Sequence, residues 1–491
     1  MRRIVALLSY ICLGVTLAMA QSAKSQYEQL LDGLNDSSLP LFNLIIDMDS
    51  LNENGITDGY VEISDYQCRI VPQRVTAKFR AEVKYRGASA AAYSKKSFSL
   101  KFLDSRGDDL DLNLFGIRDD NNWVLDAMAI DRLRMRNRVC FDIWNEISHT
   151  PYETKYDDRN GTKGLFVEVF VNGSYQGMYC LSDKIDRKLL GLKKSQSDNN
   201  GNVTVKGLLY KGIFWDNEGS CSIFLLGYDN QPTDTVCWNA WELQYPSDSP
   251  SDKTWQPMMD LIDFCTGSYA DFCEHYNDYF YVDNLVDYFV FTSALNVDDN
   301  LYKNTFLSTV DISQGHRFLI TPWDMDMSLG GKYDGDYYDE LTNLVRYDWR
   351  PPYDRIYVDN IDNLKDKIAE RWRELSATLL APDSVNVRLD TYAAQMIESG
   401  AWEREYSVWN NRPVPLKESV SDEVDYVKAW YKRNYDYLNE TWGKEQAVMD
   451  GYLILPPTYS IYTPDGHKVD ASDIDGLERG LYIIGNYKVL K

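Results

Sequence analysis

Alternating hydrophobic and polar positions run through the chain from Leu41 to about residue 182. Segments such as LFNLIID, YVEI, VTAKFRAEVKYRG and SFSLKF place apolar residues at every second position, which is typical of strands that bury one face. The runs FVEVFV and MYCL flank Asn172-Gly173, a strong signal for a tight hairpin turn. The pattern therefore predicts an antiparallel sheet, and residues 203–215 add another strand.

Helical periodicity marks several other segments. Residues 133–147 carry one apolar stripe at every fourth position, which predicts an amphipathic helix. The segment 282–295 is apolar nearly all round, so we expect a buried helix with Asp283 as its N-cap. Period and charge pattern predict four further helices, at residues 260–275, 361–380, 383–399 and 417–442.

The order of these elements predicts an α+β protein with two lobes. Residues 41–250 would form an antiparallel β-rich N-lobe, and residues 251–445 a mainly helical C-lobe. A polar N-terminal lead at 21–40 with a short helix precedes them. Residues 446–491 read as a linker and a short β tail, with a break at Leu455-Pro456-Pro457. The 491 residues suffice for a sizeable core.

A second hairpin carries the residues with the clearest chemistry. Residues 305–310 and 317–321 alternate as short strands, and the polar loop between them contains a glycine. With the turn centred near Gln314, Asn304 falls opposite Asp324, and cross-strand neighbours lie about 5 Å apart. We therefore expect these two side chains to meet at the open end of the hairpin.

Oxygen ligands cluster around this position. The Asn304 amide and the Asp324 carboxylate, with Asp326 just beyond and Asp298 or Asp299 just before, form an all-oxygen set. Such ligands suit Mg²⁺ that carries substrate phosphates. The predicted metal ligands are Asn304, Asp324 and Asp326.

The spacing of Asp299 and Asn304 adds a second argument. It matches the D-x-x-x-x-N of a protein-kinase catalytic loop, in which the Asp orients the acceptor hydroxyl and the Asn holds a metal. Asp324 then stands where the metal-binding Asp of the DFG motif would. Asp299 is the preferred catalytic residue, because Asp298 is one residue further away and would point to the opposite side of an extended chain.

Two lysines are candidates for the substrate phosphates. Residues 86–89 (RGAS), followed by Lys95 and Lys96, form a small-residue loop with charge, and Lys96 is preferred within it. Lys211 lies on the predicted strand 203–215 at a kinase-like distance before the catalytic loop. The alternatives are a solvated basic hairpin tip and a strand lysine that only reaches solvent. An ordinary G-x-G-x-x-G loop is absent from the sequence.

Five ordered blocks stand out along the chain: KYRGASAAAYSKKSFSLKF (84–102), NWVLDAMAIDRLRMRN (122–137), FVEVFVNGSYQGMYCLSDKID (166–186), DDNLYKN (298–304) and PWDMDMSLG (322–330). Together they resemble the CotH kinase family of spore-coat-H-like secreted kinases. The resemblance implies an atypical protein-kinase-like fold, use of ATP and Mg²⁺, and a protein Ser or Thr hydroxyl as acceptor.

Both ends of the chain predict export. Arg2-Arg3, an apolar run at 4–17 and Ala18-Met19-Ala20 fit a cleavable signal peptide over residues 1–20. The segments IYTPDGHKV and GLYIIGNYKVLK in the tail resemble β-type sorting modules of exported bacterial proteins. We therefore expect a periplasmic, cell-surface or extracellular location, and no later stretch is apolar enough to span a membrane.

The net charge of −24 argues against nucleic acid and anionic membranes as partners. Such a field favours a basic protein substrate, but a solvated acidic surface that keeps a secreted protein soluble is the preferred explanation. The 36 Tyr and 13 Trp are compatible with association with surface polysaccharide, but aromatic residues at core edges and lobe interfaces are the preferred explanation.

Seven cysteines remain after the signal segment, so complete pairing is excluded. Cys140 and Cys180 lie in apolar segments and are predicted to be buried thiols. The pairs that could close loops are Cys221 with Cys237 and Cys265 with Cys273.

Three functions remain open from the sequence. The first is a secreted ATP- and Mg²⁺-dependent protein kinase. The second is a carbohydrate-binding or carbohydrate-active surface protein, although a glycosidase has no need of Asn304. The third is a catalytically degenerate kinase-like scaffold, since the glycine loop is missing.

Overall fold

The computed structural model describes residues 24–87, 92–197, 203–213, 227–297, 299–301, 303–315, 317–342 and 352–443, with short segments at 448–449, 452–453, 461–463, 468–469, 481–484 and 487–490. The fold is mixed α+β, with 37% helix and 24% strand, as predicted. The chain divides after Leu438 into two compact units. The predicted signal peptide, residues 1–20, and Asp298 lie outside the described residues.

Seven strands of the first unit close into a barrel in the order β1-β2-β3-β4-β7-β9-β8. Six of the seven neighbouring pairs are antiparallel, as predicted. The seventh pair, β1 with β8, is parallel, because closure brings the first strand beside the return strand and removes both sheet edges. The strands of this region are β1 (Leu41–Ile46), β2 (Ile56–Ser64), β3 (Thr76–Arg86), β4 (Ser97–Leu103), β5 (Leu112–Asn113), β6 (Asp119–Asp120), β7 (Asn122–Asp126), β8 (Gly164–Val171) and β9 (Ser174–Ser182).

The turn between β8 and β9 is the one the sequence predicts. Asn172 and Gly173 both have positive φ, +49° and +81°, which a type I′ hairpin turn requires. Val171 pairs with Ser174 across it, and the Asn172 side chain exchanges hydrogen bonds with the backbone of Ile46 on β1. The turn therefore also fixes the parallel closure of the barrel.

A five-stranded sheet follows, in the order β13-β14-β12-β15-β16. The predicted strand 203–215 is present as two pieces, with residues 214 and 215 outside the described part. The strands of this region are β10 (Gln196–Ser197), β11 (Val203–Thr204), β12 (Leu208–Gly212), β13 (Cys237–Trp238), β14 (Trp241–Tyr245), β15 (Thr305–Thr309) and β16 (Leu319–Pro322).

The α-helices in the described part of the first unit are α1 (Gln26–Asp32), α2 (Met48–Asn54), α3 (Arg136–Ile147), α4 (Asp252–Thr266), α5 (Tyr269–Tyr279), α6 (Val282–Leu295), α7 (Leu364–Ser376), α8 (Pro382–Glu398), α9 (Ala401–Trp409) and α10 (Val420–Leu438). The predicted helix 260–275 is wrong, because Gly267 and Ser268 end one helix and begin another. Asp283 is not the N-cap of α6; Tyr281 holds that position, and Asp283 lies in the first turn. Helix α9 was not predicted.

A buried ion cluster joins α9 to the barrel. Glu405 accepts hydrogen bonds from Lys95 Nζ at 2.7 Å, Arg134 Nε at 2.8 Å and the Met178 backbone N–H at 2.8 Å. All three charged side chains are fully buried. Burial, with Arg134 beside it, lowers the pKa of Lys95 to about 7. Burial opposes the ionised form of Glu405 as well, but the two cations still lower its pKa.

The described cysteines are free thiols. Cys140 and Cys180 are buried, as predicted. Cys265 and Cys273 do not form the predicted pair, and Cys221, the predicted partner of Cys237, lies outside the described residues. In the described residues no helix is long and apolar enough to cross a membrane.

The second unit contains antiparallel pairs among β17 (Val448–Met449), β18 (Tyr452–Leu453), β19 (Ile461–Tyr462), β20 (Lys468–Val469), β21 (Leu481–Ile484) and β22 (Tyr487–Leu490).

Candidate active site

The predicted catalytic hairpin is formed by β15 and β16, but its register differs by one residue. Thr305 pairs with Pro322, and the Trp323 backbone N–H donates to the Asn304 carbonyl at 2.8 Å. Asn304 is therefore opposite Trp323, and not opposite Asp324 as predicted. The pairing places the centre of the turn between Ser313 and Gln314, half a residue earlier than expected, and this displacement shifts every pair by one.

Two of the three predicted metal ligands leave the regular strand conformation. Asn304 and Asp324 each have a φ of +55°, in the left-handed region that Asn and Asp tolerate best. The strict alternation of side chains therefore ends at Thr305 and Pro322. The Asn304 backbone N–H donates to the Gly212 carbonyl of β12 at 2.9 Å, which ties the end of the hairpin to the strand that carries Lys211.

Asp299 is buried beside Asn304. The Asn304 side-chain Nδ2 donates to Asp299 Oδ2 at 2.6 Å, and Lys303 Nζ lies 3.4 Å from the same oxygen. Burial raises the pKa of Asp299 to about 6, and the negative charge of Asp324 acts in the same direction. The spacing of five residues thus does bring the predicted base and the predicted metal-binding amide into direct contact.

Asp324 and Asp326 share one electrostatic environment. The Asp324 side chain is exposed to solvent on one side, yet the surrounding elements desolvate its carboxylate. This desolvation, together with the nearby charge of Asp126, raises the pKa of Asp324. The pKa of Asp326 is raised well above its usual range. Desolvation is the largest cause, and the charges of Asp324, Asp126 and Asp299 act in the same direction.

Asp126 and Asn137 belong to this site, although the sequence argument gave them no role. Asn137 Nδ2 donates to Asp126 Oδ2 at 3.3 Å, while Asn137 Oδ1 accepts from the backbone N–H of Met325 at 3.1 Å. The amide thus connects the end of β7 to the residue between the two aspartates. Both residues lie in the block 122–137, which contributed only to the family resemblance.

Three cations act on the acidic residues, and a fourth, Lys184, lies near Arg86. Arg86, Lys211 and Lys303 lower the pKa of Asp324, against the larger effect of desolvation. Desolvation and the neighbouring Arg86 lower the pKa of Lys211. The same two causes lower the pKa of the half-buried Lys184 to about 8. The Arg86 guanidinium lies 5.5 Å from the centre of the Trp323 ring.

The two predicted lysines occupy different positions. Lys211 lies on β12, paired with Phe306 of the hairpin and Glu242 of β14, so it reaches the cluster directly. Lys96 is half-buried with Nζ 6.0 Å from the Tyr85 ring, and it is not among the charges that act most strongly on Asp324. From residues 86–89, Arg86 is close to the acidic residues, and positions 88 and 89 lie outside the described part.

The donor set fits a divalent cation that is completed by substrate oxygens. Among the described residues no three Asp, Glu, His or Cys side chains approach closely enough to hold a metal by themselves. The predicted set has two carboxylates and one amide, and the amide nitrogen of Asn304 is already committed to Asp299. Its oxygen is therefore the atom that would ligate Mg²⁺, which accepts one or two carboxylates plus phosphate oxygens and water.

Comparison with protein families decides the identity of the chain. Residues 83–438 match the family model described as CotH kinase protein. The chain belongs to the CotH kinase protein family. The matched region includes β3 from Val83, the catalytic hairpin and all described helices from α3 through α10, which covers more than two thirds of the sequence. A search of curated proteins found no match.

Membership in the CotH kinase family implies a kinase-type phosphotransferase that uses ATP. The geometry agrees with that chemistry in one respect: Asp324 lies within the electrostatic reach of Arg86, Lys211 and Lys303, and its charge acts in turn on Asp299 and Asp326. Carboxylates that repel one another beside several cations are the kind of surface that suits a polyphosphate with its metal.

Proposed function

We propose that this CotH kinase family member is an exported, Mg²⁺-dependent protein kinase that transfers the terminal phosphoryl group of ATP to a Ser or Thr hydroxyl. The observation that carries the proposal is the direct contact of Asp299 with Asn304 beside Asp324, within the field of Lys211 and Arg86. The barrel precedes the hairpin in the chain, and helices α7 to α10 follow it. This order is compatible with the two-lobed division of a kinase.

Asp299 acts as the base in this proposal. Asn304 and Lys303 both contact its Oδ2, which leaves Oδ1 to accept the proton of the acceptor hydroxyl. With a pKa of about 6, the carboxylate is ionised at neutral pH. The hydroxyl oxygen bonds to the terminal phosphorus as the bond to the leaving ADP oxygen breaks, and the hydroxyl proton passes to Asp299. Asp298, the neighbouring candidate, lies outside the described residues.

Asn304, Asp324 and Asp326 would hold the metal. Mg²⁺ supplies neutralisation of phosphate charge and a fixed orientation for the transferred group. Asp126 raises the pKa of both metal-binding aspartates, and a divalent cation would offset that repulsion. Asn137 fixes the backbone between them through Met325 N–H.

Lys211 and Arg86 would hold the substrate phosphates, with Lys184 beside them. Desolvation and the charge of Arg86 lower the pKa of Lys211 and of Lys184. Bound phosphate oxygens would relieve the repulsion between these cations. Lys96 remains a candidate for a more distant phosphate contact. The signal-like residues 1–20 and the sorting-like tail support export, and the net charge of −24 supports a basic protein substrate.

A thermal-shift titration with ATP, with and without Mg²⁺, tests the proposal first. We expect stabilisation by ATP only when Mg²⁺ is present, followed by transfer of the terminal phosphate to an added basic protein. Stabilisation without any transfer would identify a degenerate scaffold. A melting temperature that no nucleotide changes would refute the proposal.

A further inference from the structure

A groove at the tip of hairpin β15–β16 lies apart from the candidate active site. It consists of two cavities, of about 770 Å³ and about 550 Å³, and neither is lined by the catalytic or metal-binding aspartates. Tyr281 and Arg317 line both cavities, so the two are continuous at these residues. Since β15 has five residues at about 3.3 Å each, this tip groove lies roughly 17 Å from Asn304.

Tyrosine rings line the larger cavity of the tip groove. Tyr152, Tyr279 and Tyr281 are all half-buried, so each presents part of its ring to solvent. The Tyr152 and Tyr281 ring centres lie 6.3 Å apart at an interplanar angle of 54°. Rings held in place by packing present flat, amphipathic surfaces at little entropic cost.

The exposed part of Tyr152 is its ring. The Tyr152 hydroxyl is shielded from solvent and forms no hydrogen bond within the described part of the chain. A shielded hydroxyl is out of reach of a ligand in the groove, so the half-buried ring is the part of Tyr152 that a ligand would contact.

The charges on the groove are mixed. Asp271, Asp278 and Asp311 lie on its wall together with Lys193 and Arg317. Arg317 covers the Tyr281 ring at 5.3 Å. A strongly charged ligand of either sign would therefore meet like charges. A neutral ligand with many hydroxyls would find both hydrogen-bond acceptors and donors.

The second cavity extends the groove beyond Tyr281. It adds polar and charged groups from His149, Asn277, Asp283, Asp287 and Lys367 and an apolar residue, Phe280. Two cavities that share Tyr281 and Arg317 suit an elongated ligand better than one compact molecule. The overall charge of −24 further disfavours an acidic polymer.

We propose that the tip groove binds a segment of a neutral polysaccharide. Tyr152, Tyr279 and Tyr281 would contact the sugar faces, and the carboxylates with Arg317 and Lys193 would bind the hydroxyls. Binding there would hold the catalytic unit on a glycan surface while leaving its active site free. This inference does not depend on the proposed kinase activity.

Affinity electrophoresis of the full chain tests this proposal. Native gels would contain xylan, mannan, dextran or mixed-linkage β-glucan, with polygalacturonate as an acidic comparison. We expect retardation by at least one neutral polymer, and a loss of affinity of about tenfold for Tyr281→Ala. Tyr66→Ala, at an exposed tyrosine of the barrel region, is the matched control and should be retarded like the wild type.

A second variant guards against misfolding. Tyr281 lies at the start of α6, where a substitution could disturb the helix. Arg317→Ala, at an exposed position, is therefore measured as a second variant and should also weaken retardation severalfold. Both variants should keep the phosphoryl-transfer rate of the wild type. The proposal is overturned if no neutral polymer retards the chain, if both variants are retarded like the wild type, or if only the acidic polymer retards the chain.

Discussion

Replacement of Asp299 by Asn separates the chemical and structural roles of this residue. The new amide oxygen can still accept the hydrogen bond from Asn304 Nδ2, but the amide cannot take a proton from a substrate hydroxyl. Loss of a general base lowers rates by about 10²–10⁴, which corresponds to about 2.7–5.4 kcal/mol of transition-state stabilisation. We expect kcat to fall by that factor while the KM for nucleotide changes little.

The same substitution should stabilise the fold at neutral pH. Burial raises the Asp299 pKa from 3.8 to about 6, so ionisation costs more in the folded chain than in the unfolded chain. Two pKa units correspond to at most about 3 kcal/mol. The cost appears as pH rises from about 4 through about 6. The Asp299→Asn variant does not pass through this ionisation. Its free energy of unfolding should therefore exceed that of the wild type by little at pH 4 and by most at pH 7.

Urea unfolding in EDTA at pH 4 and pH 7 measures this gain, and steady-state phosphoryl transfer measures kcat. Asp425→Asn, at an exposed position of α10, is the control and should change neither quantity. A kcat within threefold of wild type would show that Asp299 is not the base. A variant less stable than wild type at pH 7 would refute the burial argument.

Three further predictions examine the rest of the site and its support. Asp324→Ala should abolish stabilisation by Mg²⁺-ATP and phosphoryl transfer while circular dichroism stays unchanged; normal transfer would remove Asp324 from the metal site. Lys211→Ala should weaken nucleotide binding more than Lys96→Ala in a calorimetric titration, and the reverse order would move the phosphate contact to the 84–102 block. Glu405→Gln should cost about 3–5 kcal/mol in urea unfolding, because it leaves two buried cations short of a counter-charge; a loss below about 1 kcal/mol would contradict this.

Local patterns were sufficient for much of the fold. The Asn172-Gly173 turn, the apolar helix at 282–295 and the hairpin from Thr305 were all predicted from short-range signals, and all are present. The closure of the barrel was not predictable, because the parallel pairing of β1 with β8 joins segments more than a hundred residues apart. Helix α9 was missed since its buried face includes Glu405, a charged residue in place of the apolar one that a periodicity search expects.

The candidate site was predictable to the extent that it is local. The contact of Asp299 with Asn304 follows from a five-residue spacing. Arg86 and Asp126, by contrast, reach Asp324 from β3 and β7, and only the folded barrel brings them there. The one-residue error in the hairpin register arose from the turn, whose half-residue displacement no alternation pattern reveals.

The position of Glu405 has a consequence for shortened forms of the chain. The barrel strands are complete by Ser182, yet buried Lys95 and Arg134 obtain their counter-charge from a helix that begins at Ala401. A late segment of the chain therefore completes the charge balance of an early one. A chain cut short before α9 would leave Lys95 and Arg134 without their anionic partner.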